Sequence, residues 1–240
     1  MRVTFIEHSG FAVEFDEVVF IFDYYKGDIP QFPKNKQVIF FVSHKHQDHF
    51  NKQIFTIGDS YKKVTYLLSN DTKMNTVYMN RMKIPMKART QIRYIHANET
   101  MDLGSGIRVE TLRSTDEGVA FIVSYENKAL YHAGDLNWWS WSGEPERFNE
   151  NMKTQFFNEI QKVTGRHFDI AFLPLDPRQE ERFYWGLDAF MRSADVTTCF
   201  PMHMWNDFSI IRKLKEIECA HEYENRIVEI KHNGEQFSVS

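Results

Sequence analysis

An α/β fold is what this sequence predicts, on three observations. Short apolar runs of strand length, bounded by turn residues, recur along the whole chain. Stretches with helical spacing are interleaved with them, most plainly over residues 144–164, where Phe148, Met152, Phe156 and Ile160 fall at steps of four. Several of the apolar runs are continuous rather than alternating, as expected of strands buried on both faces.

Taken in order, Val3–Ile6 is short and apolar, Phe11–Phe15 alternates, and Val18–Phe22 is a continuous β-branched and aromatic run ending at Asp23. Asp16-Glu17 makes a hairpin turn between the last two. Residues 24–36 contain Gly27, Pro30 and Pro33 and read as a loop. Val38–Val42 is a second buried strand that runs directly into Ser43 and a histidine cluster. Asn51–Tyr61 is expected to be helical, Thr65–Leu68 a strand, and residues 71–90 carry no clear pattern. Ile92–Ile95 and Ile107–Thr111 alternate as half-buried strands, and Ala120–Val123 with Ala129–His132 form a hairpin around Glu126-Asn127-Lys128. The helix of 144–164 follows, then a strand at Ile170–Leu173, a helix over 183–194, a strand at Thr197–Phe200 and a helix over 207–218. Arg226–Ile230 and Gln236–Val239 close the chain as strands around Asn233-Gly234. No linker or strong repeat interrupts this order, so residues 1–240 read as one domain, built as a unit or from two similar halves meeting near residue 115.

Composition narrows the class. Charged residues make up 26% and hydrophobic residues 42%, the balance of an ordinary globular chain. The net charge of −4 and the lack of a long basic run disfavour a dedicated nucleic-acid binder. No apolar stretch approaches the roughly 18 residues of a membrane span, and the N-terminus does not read as a signal peptide. Cys199 and Cys219 are not in a Cys-x-x-Cys pair, and the expected compartment is a reducing cytoplasm.

The chemistry is concentrated in His44-Lys45-His46-Gln47-Asp48-His49. Imidazole and carboxylate groups suit zinc, iron or manganese. In extended backbone His44 and His46 project to the same side and can grip one ion together. Asp48 and His49 lie beyond a turn, where they can face a second ion. A solvated polar loop is the alternative for one histidine, but not for four ligand-type residues at the end of a buried strand.

His-x-His-x-Asp-His after a buried strand resembles the metallo-β-lactamase superfamily, and further pieces occur in the expected order. These are Asp23 at the end of an early strand, Asp135 in Tyr131-His132-Ala133-Gly134-Asp135, and His203 in Phe200-Pro201-Met202-His203. Glu7-His8-Ser9-Gly10-Phe11 and His132–Asp135 look most like the branch that includes the ascorbate-6-phosphate lactonases. The resemblance implies a four-layered αβ/βα sandwich and one or two divalent metals, zinc first, with manganese or iron as alternatives. It implies His44 and His46 on the first metal, Asp48, His49 and His203 on the second, and Asp135 bridging both. Asp23 would lie outside the ligand set and orient it, and His8 and His132 either face the site or serve the fold.

The sequence departs from the family at one place. A further ligand histidine usually precedes the hairpin leading to the late aspartate, whereas Leu112–Gly118 has none. Asp116 is a candidate substitute ligand and Ser114 a weak one.

The implied activity is metal-dependent hydrolysis, in which metal-bound hydroxide attacks a small-molecule lactone, ester or amide and Asp48 orients the water or takes its proton. A phosphodiesterase or nuclease on the same scaffold, and a metal-binding protein without turnover, are the alternatives. Trp138, Trp139 and Trp141 follow Asp135 and either line a substrate cleft or pack on the following helix. Arg178 either clamps a substrate phosphate or carboxylate or pairs with Asp176, Glu180 or Glu181, and Tyr24 is expected to border the cleft.

Overall fold

The computed structural model describes residues 1–239. The chain divides into two compact units, one comprising Met1–His96 and the C-terminal segment from His232, the other Ala97–Lys231.

The first unit is built on a seven-stranded sheet. Its strands are β1 (Arg2–Glu7), β2 (Gly10–Glu14), β3 (Val18–Phe22), β4 (Gln37–Val42), β5 (Lys63–Ser69), β6 (Ile92–Ile95) and the last strand of the chain, β13 (Gln236–Ser238). They lie in the order β13-β1-β2-β3-β4-β5-β6. β1, β2 and β3 pair antiparallel, and β3 through β6 run parallel. The inner parallel strands β3 and β4 carry continuous apolar runs of the sequence, and alternate side chains serve opposite faces. Ile21, Val38, Phe40, Val42, Tyr66 and Leu68 bury one face against Phe55, Ile84 and Ala88. Phe20, Phe22 and Phe41 occupy the other, where the Phe22 and Phe41 rings stack at 4.7 Å. Three short helices connect the parallel strands: α1 (Ile54–Gly58), α2 (Thr76–Arg81) and α3 (Met86–Thr90).

The second unit carries β7 (Thr100–Gly104), β8 (Ile107–Arg113), β9 (Val119–Tyr125), β10 (Lys128–His132), β11 (His167–Pro174) and β12 (Asp195–Met202) in the order β12-β11-β10-β9-β8-β7. β7 to β10 form an antiparallel meander, while β10, β11 and β12 are parallel. Its helices are α4 (Glu146–Ile160), α5 (Trp185–Ser193) and α6 (Ser209–Lys215). Phe190 of α5 stacks on Tyr131 of β10 at 4.3 Å. Glu159 of α4 accepts the Arg113 N–H of β8 at 3.0 Å.

Most expected elements form, with four differences. The helix expected over 51–61 is confined to α1, its flanks being turns. The unpatterned stretch 71–90 holds α2 and α3. The strand β7 gave no apolar run because it has no buried residue. Residues 226–230 are not a strand: Ile227 makes one isolated bridge to Cys199 after a 3₁₀ turn at Glu224–Arg226, and only Ile227 and Ile230 of that segment are buried. Cys199 and Cys219 are both free thiols. Among the described residues no helix is long and apolar enough to cross a membrane.

Candidate functional site

In the first unit the singled-out residues emerge from the carboxyl ends of neighbouring parallel strands, where open α/β sheets present their loops. Asp23 follows β3 and His44 follows β4, Ser43 lying between His44 and the strand. Asp23 is fully buried. Its Oδ1 accepts the Ser43 N–H at 2.7 Å and its Oδ2 the Ser43 hydroxyl at 2.6 Å. The same Oδ2 lies 2.8 Å from His49 Nδ1. Ser43 Oγ is also 3.0 Å from His44 Nδ1. One carboxylate thus ties the end of β4 to the last histidine of the motif.

The motif loop turns tightly, the His46 carbonyl accepting the N–H groups of His49 and Phe50. That turn brings the rings together: His44 and His46 have centroids 4.6 Å apart, and His44 and His49 4.1 Å. One ligand-type atom from each of His8, Asp48 and His49 falls within 4.8 Å of the others. His8 Nε2 is 3.4 Å from Asp48 Oδ2. Burial pulls the Asp48 pKa upward, but the His8 hydrogen bond and the charge of His49 outweigh it, so the carboxyl sits well below the usual range. It is held ionised, as a ligand must be. Asp23 and His8 adopt φ of 41° and 55°, uncommon for residues with a side chain.

Tyr24 is buried and donates its hydroxyl to the Gly27 carbonyl at 3.0 Å. It borders a cleft with Asp28, Ile29 and Gln53. Burial, with Asp28 nearby, raises its pKa.

The second unit repeats the strand-end logic. Asp135, Asp176 and His203 follow β10, β11 and β12, three adjacent parallel strands. His203, at φ 63°, places Nδ1 2.9 Å from Asp176 Oδ2 and Nε2 3.5 Å from Asp135 Oδ1. Asp176 is fully buried. Its carboxylate also accepts from Arg178 Nε at 3.0 Å and Nη2 at 2.6 Å, and from Trp205 Nε1 at 3.4 Å. Burial would raise its pKa, but His203 and Arg178 outweigh that and hold it at about 2.

Asp135 sits on a turn that is braced from several sides. Its carbonyl accepts Trp139 Nε1 at 2.9 Å and the Thr115 hydroxyl at 3.3 Å. Thr115 Oγ1 also accepts the Asn137 N–H, and Asn137 Nδ2 donates to Gln179 Oε1. A carboxylate oxygen of the exposed Asp116 lies within 4.8 Å of one of Asp135. Ser114 is buried, and its hydroxyl accepts the Asp116 N–H at 3.1 Å. His132 is fully buried, its Nδ1 accepting the Gly134 N–H at 3.2 Å and its ring packed on Phe172.

The tryptophans divide. Trp138 packs on Phe157 of α4 and Trp185 of α5, the helix-packing alternative. Trp139 stacks on Trp141 and has its ring centroid 5.5 Å from that of His203. Arg178 takes the pairing alternative with Asp176, and its guanidinium lies 4.4 Å from the Trp205 ring centroid. Sequence reasoning missed three positioning groups: Asp176, Ser43 and Thr115. Asp176 had a signal, since it stands after a buried strand as Asp23 does.

The family model described as "Beta-lactamase superfamily domain" matches residues 2–140, more than half of the chain. The chain belongs to the metallo-β-lactamase-fold superfamily. A metal-dependent hydrolase of Desulforamulus reducens is 27% identical over 197 residues, 73% of this chain and 72% of that protein. Two solved structures share the fold. One is a metallo hydrolase from the hyperthermophilic archaeon Ignicoccus hospitalis, with 17% identity and TM-score 0.62 over 100% of this chain and 99% of that one. The other is a protein from Parabacteroides distasonis, with 16% identity and TM-score 0.64 over 95% of this chain and 92% of that one.

Proposed function

We propose that this superfamily member, a metal-dependent hydrolase, cleaves a small-molecule lactone, ester or amide at a centre of one or two divalent metals. The observation that carries the reading is that His49 and His203 each have Nδ1 held by a buried carboxylate, Asp23 and Asp176. Histidines that ligate metals are typically fixed in this way, which sets the tautomer and leaves Nε2 as the coordinating nitrogen. The donor set, imidazoles and ionised carboxylates, suits zinc, with manganese or iron as alternatives.

His44 and His46 would hold one ion, with Asp116 standing in for the further histidine that the family usually carries. Asp48, His49 and His203 would hold the other, and Asp135 would serve both. A bound divalent metal lowers the pKa of its water and supplies a nucleophile near neutral pH. Asp48, held below the usual carboxylate range by His8 and His49, would act as ligand and orient the water. Asp23 and Asp176 hold their histidines in orientation. Ser43 fixes His44, and Thr115 with Trp139 fixes the backbone that presents Asp135. Glu7-His8-Ser9-Gly10-Phe11 and His132–Asp135 support kinship with the ascorbate-6-phosphate lactonase-like branch, and a cytoplasmic location accords with the two free thiols.

Elemental analysis of protein purified without added metal or chelator tests this directly, beside a His46→Ala, His203→Ala double variant. One to two equivalents in the native chain and their loss in the variant are expected. A native chain that takes up no zinc, manganese or iron, even on reconstitution, would leave a metal-free binding protein as the better account.

A further inference from the structure

The strand next to the motif strand ends in a second chemical feature. β5 pairs parallel with β4, so the 3₁₀ turn Asn70–Thr72 and the start of α2 leave the sheet at the same edge as the histidine motif. The two meet where the Lys45 N–H donates to Asp71 Oδ2 at 3.0 Å. Between them lies a cleft of about 280 Å³. Lys45, Lys52 and Lys73 line it, with Phe50, Met74 and Tyr78 as its apolar wall. Lys45 is the residue between His44 and His46, so this cleft begins at the ligand motif itself.

Its cations are arranged for a ligand rather than for the fold. Among the described residues neither Lys52 nor Lys73 has a carboxylate partner, in a chain whose net charge is −4. Lys52 Nζ lies 5.2 Å from the Tyr78 ring centroid and 6.0 Å from that of Phe50, so the ammonium is aligned along the aromatic wall. Asp71 is the one carboxylate of the lining, against three lysines. The segment that follows is basic in composition, Thr72 to His96 containing six Lys or Arg residues and no Asp or Glu. Phe50 and Met74 are buried, and Asn75 caps α2 by accepting the Tyr78 N–H at 2.8 Å, so the apolar wall is fixed in place.

We propose that this cleft binds the anionic end of the substrate, a phosphate or carboxylate attached to an aryl or apolar body, and so selects what the metal centre hydrolyses. The proposal rests on the hydrolase reading for its catalytic meaning and on the cleft alone for its binding chemistry. Lys52 and Lys73 supply charge-assisted hydrogen bonds to the anion, and Phe50, Met74 and Tyr78 cover the body next to it.

Calorimetric titration of the purified, metal-assayed protein with phenyl phosphate, benzoate and inorganic phosphate tests the assignment. Saturable binding of phenyl phosphate or benzoate is expected, tighter than that of inorganic phosphate and weakened by salt. Lys52→Gln with Lys73→Gln should weaken it by about tenfold or more, and Lys52→Arg with Lys73→Arg should restore it, with metal content unchanged in both. The tighter of the two aryl arms identifies the handle. Binding unchanged by the glutamine pair, in protein with its metal intact, would overturn the cleft while leaving the hydrolase reading in place. Equal affinity for inorganic phosphate and both aryl anions would overturn the role of the apolar wall. Lysine-dependent binding by protein that holds no metal would support the cleft and sink the hydrolase reading instead.

Discussion

Asp23 at the end of β3 and Asp176 at the end of β11 each accept from a histidine Nδ1, at 2.8 and 2.9 Å, yet the two carboxylates are held differently. Asp23 also accepts from the backbone N–H and the hydroxyl of Ser43, in fully buried surroundings. Asp176 shares its charge with Arg178, whose side chain is 50% exposed, and with the Trp205 indole. The same histidine-orienting device is therefore tied into the sheet in one unit and into a solvent-facing loop in the other. The first should be coupled to folding, the second mainly to ligation.

The largest effect is expected from Asp23→Ala. It leaves the Ser43 donors and the His49 ring without their acceptor, and breaking such a buried arrangement costs about 3–5 kcal/mol. Urea denaturation measures this, and a loss below about 1 kcal/mol would put Asp23 on the same footing as a surface carboxylate. Asp176→Asn should keep the fold and lower metal affinity by roughly 10–100-fold, read by chelator competition. If it unfolds the chain as readily as the Asp23 change, the contrast between the two carboxylates fails.

Gly186→Ala probes the bracing of the Asp135 turn. A Cβ at Gly186 would collide with Asn137 Oδ1, and Asn137 is pinned by Thr115 and Gln179. Overpacking there should cost about 1–3 kcal/mol in thermal or urea unfolding. Arg178→Gln removes a half-exposed donor from the buried Asp176 carboxylate, which keeps His203, and should cost about 1–3 kcal/mol in the same unfolding measurement.

The smallest effect concerns a carboxylate away from the ligands. Burial raises the Asp169 pKa, but the Ala129 N–H and the Lys128 ammonium outweigh it and hold the group below its ordinary 3.8. Its stabilising contribution is therefore complete above that value and is lost as the pH falls through the folded-state value. Stability curves of the native chain and Asp169→Asn should differ at neutral pH and converge below pH 3.8. Curves that stay parallel into acid would show that the Lys128–Asp169 pair contributes nothing through ionisation.

Much of this is legible in the amino-acid sequence. β3 and β4 are unbroken β-branched and aromatic runs, and the motif follows the second with only Ser43 between. The edge strand β7 was hard to read because Thr100–Gly104 is short and only half-buries Met101 and Leu103, which leaves a weak alternation and no continuous apolar run. The strand expected at 226–230 had the opposite fault: its Val and Ile residues suggest β structure, but a 3₁₀ turn and isolated burial decide otherwise. Arg178 had two readings in the sequence, and only the position of Asp176 two residues earlier on a 3₁₀ turn selects the ion pair.

By itself the sequence determined the α/β class, through local periodicity, and the superfamily, through the resemblance carried by the compact histidine motif after a buried strand. The tertiary structure decided which carboxylate grips which histidine. Asp23 and His49 are 26 residues apart, and Asp176 and His203 27. Such pairs meet only because parallel pairing sets the ends of β3 and β4, and of β11 and β12, side by side. Strand order and register are global properties of a sheet, fixed by the burial of whole faces, and no short stretch of sequence encodes them.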